Sequence, residues 1–178
     1  MEINLKLSKI DKPDTYNFTD DQKVAFDKLI EFIKSDYDDK NFKMALTGAA
    51  GTGKTYLLRA VVEQCGLSYS TIGMAAPTHK ACRVLSESIG LTRVKINTIA
   101  SILGLRPNYD STKFDINNPP FDPRGKIKIK GFSLYIVDEA SMLDSNLCKL
   151  LEKFCRSYNC KIIYVGRLIN RIADVKSL

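Results

Sequence analysis

Apolar positions along the chain change their period several times, and each change marks an element boundary. From Thr19, the stretch TDDQKVAFDKLIEFIKSDYDD repeats apolar residues at Val24, Ala25, Leu29, Phe32 and Ile33, the spacing of one helix face. Thr19 is placed to cap that helix, and Asp20 and Asp21 fall in its positive first turn. KMALT is a short apolar run of strand length, followed by GAAGTGKT and a second helical pattern from Lys54 to about Cys65. YSTIGMAA predicts another strand, HKACRVLSESIG a helix stopped at Gly90, and NTIASILG a shorter helix. FSLYIVDEA predicts a central strand ending in two acids, SNLCKLLEKFCRSY a helix, and KIIYVG a strand. Short apolar strands alternating with helices predict an α/β fold in which a parallel sheet is covered on both faces.

Two stretches resist that pattern. Residues 1–18 have no clear period and contain Pro13, so they read as a lead-in. Leu105 to Gly131 carries Pro107, Pro119, Pro120 and Pro123, then RGKIKIKG, which sets Arg124, Lys126, Lys128 and Lys130 two apart on one face of an extended strand. This reads as a small inserted hairpin or loop. The expected units are the lead-in, a domain over 19–166 with 105–131 inserted, and a tail over 167–178.

Composition narrows the function classes. The 178 residues leave room for one domain, and 44% hydrophobic content suffices for a core. No segment reaches the ~18 apolar residues of a membrane helix, and MEINLKLSKIDKPD is charged where a signal peptide is apolar. A cytoplasmic protein with no membrane partner is expected. Five cysteines without a CxxC pair, with His79 the lone histidine, support neither a disulfide framework nor a zinc site. The net charge of +7 divides unevenly: residues 1–40 hold seven lysines against ten acids, and the remainder 20 basic residues against 10 acidic. The basic part suits either a polyanion such as nucleic acid or an ordinary solvated surface.

Chemistry concentrates in three motifs. GAAGTGKT, Gly48 to Thr55, satisfies the phosphate-loop pattern in full, with a strand before it and a helix after it. In such a loop the backbone N–H groups of Gly48, Ala49, Ala50, Gly51, Thr52 and Gly53 wrap a phosphate chain at a helix N-terminus. Lys54 would reach the β and γ phosphates of ATP, Thr55 would bind Mg²⁺, and Tyr56 follows at the edge of the nucleotide site. LYIVDEAS completes the site if its strand lies beside the phosphate loop: Asp138 would then hold Mg²⁺ through water, and Glu139 would take a proton from the attacking water. In AAPTHKA, Pro77, Thr78, His79 and Lys80 form a turn and helix start that either binds a nucleic-acid phosphate or simply caps the helix.

Taken together, TDDQ at 19–22, GAAGTGKT, APTHKA, NTIASIL and VDEASML resemble, in order and spacing, the superfamily 1 DNA helicases of the RecD-like and Dda-like group. The resemblance covers about Phe18 to Gly166. It implies a RecA-like motor domain with Lys54, Asp138 and Glu139 as catalytic residues and ATP with Mg²⁺ as cofactors. It further implies that Gln22 contacts adenine, that Pro77, Thr78, His79, Lys80 and Thr98 lie along single-stranded DNA, and that movement is 5′ to 3′. The insertion would form a duplex-splitting hairpin, with Phe114 as a base-stacking candidate or a residue packed within its own hairpin. Other replication proteins are further expected partners. Ala100 stands where relatives carry a histidine. After Gly166 the resemblance stops: Arg167 stands where an acid belongs, no glutamine follows, and the second RecA-like domain of the family is missing. An N-terminal motor domain cut short is therefore expected; the alternative is a regulatory or loader-type nucleotide-binding module in replication with no helicase activity of its own.

Overall fold

The computed structural model describes residues 16–107, 121–123, 125–167 and 176–177. Phe114 and Arg124 lie outside the described residues, as does most of the lead-in.

Among the described residues six strands form one sheet in the order β3-β2-β6-β7-β1-β8, where β1 is Lys43–Thr47, β2 Ile72–Ala76, β3 Lys95–Thr98, β6 Leu134–Val137, β7 Lys161–Gly166 and β8 Lys176–Ser177. Every pairing in it is parallel. Each strand therefore needs a crossover, and the helices α1 (Asp20–Lys34), α2 (Lys54–Gln64), α3 (His79–Ile89), α4 (Ile99–Ile102) and α5 (Ser145–Ser157) are distributed over the two faces. Side-chain alternation sorts the core into two layers. Leu46, Ile72, Met74, Leu134, Ile136, Ile163 and Val165 point to the face covered by α1, α2 and α3. Ala45, Ala75, Tyr135, Val137, Ile162 and Tyr164 point to the other, covered by α4, α5 and Ile129. Burial of both faces explains why these strands read as unbroken apolar runs.

The helices begin and end where local chemistry directs. In α1 the Thr19 hydroxyl accepts from the Gln22 N–H at 3.3 Å while the Thr19 N–H donates to Gln22 Oε1 at 3.1 Å, a complete capping box. Thr78 and Asp144 cap α3 and α5, and Gly90 ends α3 in the left-handed conformation its sequence position predicts.

Several expected boundaries move. Tyr69–Thr71 form a single tight turn capped by Ser68, and the strand expected from YSTIGMAA starts only at Ile72. Only half of NTIASILG is helix. Asn97 and Thr98 complete edge strand β3, paired with Ala75 and Ala76, and only one turn over Ile99–Ile102 follows. Pairing with β2 satisfies the backbone of Lys95–Thr98, which no local pattern anticipates. The insertion does contain a hairpin, β4 (Leu105–Pro107) antiparallel to β5 (Phe121–Pro123). Residues 125–130 are not part of any strand, although their exposure alternates as the sequence predicts, with Lys126, Lys128 and Lys130 outside and Ile129 fully buried. In the tail, Lys176 and Ser177 pair with Met44 and Ala45 at the sheet edge.

Candidate nucleotide and nucleic-acid site

The functional residues gather at the carboxyl edge of the sheet because parallel strands all deliver their ends there. Gly48 leaves β1 with its N–H bonded to Gly166 O at 3.2 Å, tying the loop to the end of β7. Gly51 and Gly53 turn it with φ of 79° and 77°. Within the loop, Thr52 Oγ1 donates to Ala49 O at 2.9 Å. Lys54 Nζ donates to Gly48 O at 2.8 Å and Ala49 O at 2.6 Å, so the ammonium curls over the loop it follows.

The N-terminus of α2 differs from that of α1 in a way that bears on ligands. Its cap, Gly53, has no side chain to accept from the first-turn N–H groups, and no acid lies in that turn. Orphan N–H groups and the helix dipole there favour an anion, and the Lys54 ammonium, bonded to neutral carbonyls, adds a full positive charge. These residues fit a nucleotide phosphate chain.

The strand carrying Asp138 does not lie beside the phosphate loop as expected: β7 is inserted between β6 and β1, so Asp138, at the end of β6, stands two strands from the loop. Its N–H donates to Ala75 O at 2.8 Å, and its Oδ1 accepts from the Glu139 N–H at 2.9 Å. Burial raises the Asp138 pKa, while that N–H and the Lys54 charge pull it down. A half-buried carboxylate that feels the Lys54 charge is of a kind that could hold a hydrated divalent cation, and the Thr55 hydroxyl at the helix start is a second oxygen that could join it. Glu139 is exposed and holds a left-handed backbone, φ 51°, unusual for a residue with a side chain. That conformation turns the chain sharply after β6 and leaves the Glu139 side chain at the open edge.

The other expected residues fall around this centre. Gln22 lies against the phosphate loop. Besides its part in the capping box it donates from Nε2 to Thr52 O at 2.9 Å, a contact the motif alone does not reveal. Tyr56 is 42% exposed, and its hydroxyl accepts from the Asn17 N–H at 3.0 Å. Its ring packs edge-on against Tyr16 and Phe18, with centroids 5.1 and 6.0 Å away. Pro77, Thr78, His79 and Lys80 follow β2, with Thr78 Oγ1 accepting from the Ala81 N–H at 3.1 Å and His79 and Lys80 exposed. Thr98 is opposite Ala76 across the sheet, but it is only 6% exposed and its hydroxyl caps α4 by accepting from Ser101 N. Along the edge the order is thus Thr98, Pro77 to Lys80, Asp138, Gly166 and the phosphate loop, with three strand steps, about 14 Å, from β2 to β1.

Comparison with known proteins bears directly on this arrangement. A family model described as an AAA domain matches residues 20–167. The chain belongs to that family. It is 33% identical over 152 residues to the ATP-dependent DNA helicase dda of Enterobacteria phage T4, covering 84% of this chain and 31% of the relative. It is 34% identical over 104 residues to the ATP-dependent RecD2 DNA helicase of Deinococcus radiodurans, covering 58% of this chain and 12% of the relative. The chain therefore spans a third or less of these relatives. Among solved structures, Pif1 helicase from Candida albicans superposes with a TM-score of 0.55 at 19% identity, covering 85% of this chain and 33% of that one, a likeness of fold. The AAA-domain protein described here is a RecA-like domain of the superfamily 1 helicase type, with the α/β phosphate-loop fold that its sequence predicts. Among the described residues no helix is long and apolar enough to cross a membrane.

Proposed function

We propose that this domain is the ATPase motor of a DNA helicase, binding ATP with Mg²⁺ at Gly48–Tyr56 and single-stranded DNA along Pro77–Lys80 and Thr98. The observation that carries this reading is the phosphate loop, with an α2 N-terminus no side chain caps, on the same sheet edge as the half-buried Asp138 carboxylate two strands away. Bound Mg²⁺ would neutralise charge on the β and γ phosphates. The chain's own residues do the rest. First-turn N–H groups of α2 and the Lys54 ammonium hold the phosphates; Thr55 and Asp138 offer oxygens toward the metal; and Glu139 accepts a proton from the attacking water. Lys54 must leave Gly48 O and Ala49 O to do so, exchanging two neutral acceptors for charged ones. Gln22, which donates to Thr52 O, would contact the adenine and carry that contact to the loop. The 5′-to-3′ direction rests on the resemblance to RecD-like and Dda-like helicases, as do other replication proteins as partners and a cytoplasmic location.

The unit division also belongs to this reading: 19–166 as the motor, 105–131 as an insertion within it and 167–178 as a divergent tail.

Steady-state ATP hydrolysis with and without single-stranded DNA tests the proposal, with Lys54→Ala as control. Turnover that rises with DNA and is lost in Lys54→Ala supports it. Nucleotide binding with turnover indifferent to DNA overturns the motor reading in favour of a regulatory or loader-type module.

A further inference from the structure

The lysine-rich segment after the hairpin has no role in the nucleotide chemistry, yet it is built as a fixed display. Gly125 N–H donates to Gly104 O at 2.7 Å, Lys128 N–H donates to Ile102 O at 2.8 Å, and the Tyr135 hydroxyl donates to Lys128 O at 3.2 Å. Ile129 is fully buried against the layer formed by Ile99, Ile102 and Tyr135, and Ile127 packs on its margin. These anchors fix which way alternate side chains point. Lys126, Lys128 and Lys130 all face solvent. Among the described residues none of the three makes an ion pair; Lys128 Nζ instead donates to Ser101 Oγ at 3.0 Å. Ser101 is the residue whose N–H the Thr98 hydroxyl accepts, so the lysine row joins the strand end already assigned to DNA contact.

We propose that Lys126, Lys128 and Lys130 form a second contact for the phosphate backbone of single-stranded DNA, continuing from Thr98 along the outside of α4; this rests on the DNA-binding reading above. In an extended segment lysines two apart stand roughly 6.6 Å from one another, so the row spans about 13 Å. Three ammonium groups, none in an ion pair among the described residues, on a backbone anchored at Gly125 and Lys128, confine a polyanion without reading its bases. The row continues from the strand end where single-stranded DNA contact is proposed, so the same strand is its natural occupant.

The test is anisotropy of a fluorescent single-stranded oligonucleotide titrated with the full chain over a range of salt, for wild type and for the triple variant Lys126→Gln, Lys128→Gln, Lys130→Gln. With three phosphate contacts, the slope of log affinity against log salt becomes shallower by about 2. The triple Lys→Arg variant keeps the charges and is expected to retain the wild-type slope, and urea midpoints verify that both variants fold. An unchanged slope in the glutamine variant overturns the lysine row while leaving the Thr78 to Lys80 contact intact. Failure of wild type to bind the oligonucleotide overturns the DNA-binding reading itself. A slope change seen with duplex alone overturns the assignment to a single strand.

Discussion

Gly53→Ala is the substitution that best tests how the phosphate loop is held. Gly53 has φ 77°, and a Cβ built there would lie 2.6 Å from Gln22 Nε2, closer than unbonded atoms approach. Two costs follow. Alanine in the left-handed region costs about 1–2 kcal/mol. The Gln22 amide, being the free end of a flexible side chain, moves away and forfeits its bond to Thr52 O, a loss of about 1 kcal/mol. The variant should therefore unfold in urea with roughly 2–3 kcal/mol less stability. Gln22→Ala separates the two costs, because without the amide the new methyl meets open space and only the backbone cost remains. A double-mutant cycle should then give a coupling of about 1 kcal/mol between the positions. Additivity of the two changes within about 0.4 kcal/mol would refute the claim that Gln22 and the loop are mechanically joined.

Two further outcomes are expected elsewhere in the molecule. Lys161 is 6% exposed, and its ammonium donates to Phe32 O at 2.6 Å, Ile33 O at 3.3 Å, Ser35 Oγ at 2.9 Å and Ser35 O, closing the C-terminus of α1. Lys161→Met leaves those oxygens without their donor and should lower stability by about 2–4 kcal/mol in urea unfolding; a loss under about 0.5 kcal/mol would contradict the role. Burial pushes the Cys148 thiol up from 9.0 to about 11, with the Glu152 and Asp144 charges adding to it. The unfolded thiol then loses its proton before the folded one, so this contribution is complete below pH 9 and is lost as pH rises toward 11. Unfolding measured from pH 8 to 11 should show a shallower alkaline decline for Cys148→Ala than for wild type, and parallel curves would refute the assignment.

What the sequence revealed follows from how locally each feature is determined. The phosphate loop, the Thr19 cap, the Gly90 stop and the acids after LYIV are decided within a few residues by backbone conformation and hydrogen-bonding capacity, and all are found where expected. β3 is hidden because Lys95–Thr98 owes its strand conformation to Gly73, Met74, Ala75 and Ala76, partners more than 20 residues away in sequence. Lys161 could not be told from a surface lysine. Only the fold brings the end of α1 over the start of β7 and supplies the carbonyl oxygens that make its burial tolerable. The Gln22 link to Thr52 was equally out of reach, since a capping-box glutamine satisfies every local rule without any loop beside it.

The strand order also suggests how nucleotide and DNA would sense one another on the proposed reading. Asp138 feels the Lys54 charge on one side, and on the other its own N–H is bonded to Ala75 O, in the strand that runs directly into Pro77 and Thr78. β6 and β2 are buried along their whole length, so neither can shift without disturbing both core layers. The mobile parts are then the side chains at the strand ends: the Lys54 ammonium, which must exchange carbonyls for phosphates, and the exposed residues of α3 that face DNA. A charge change at Lys54 reaches Asp138 through space and Thr78 through one strand step, a route that needs no rearrangement of the sheet. Ala75→Pro would leave the Ala75 carbonyl in place but deform β2, whereas Asp138→Asn removes the charge and keeps the backbone bond. The behaviour this route requires is that nucleotide changes DNA affinity in the wild type and that the change is lost in Asp138→Asn, with DNA affinity in the absence of nucleotide the same in both.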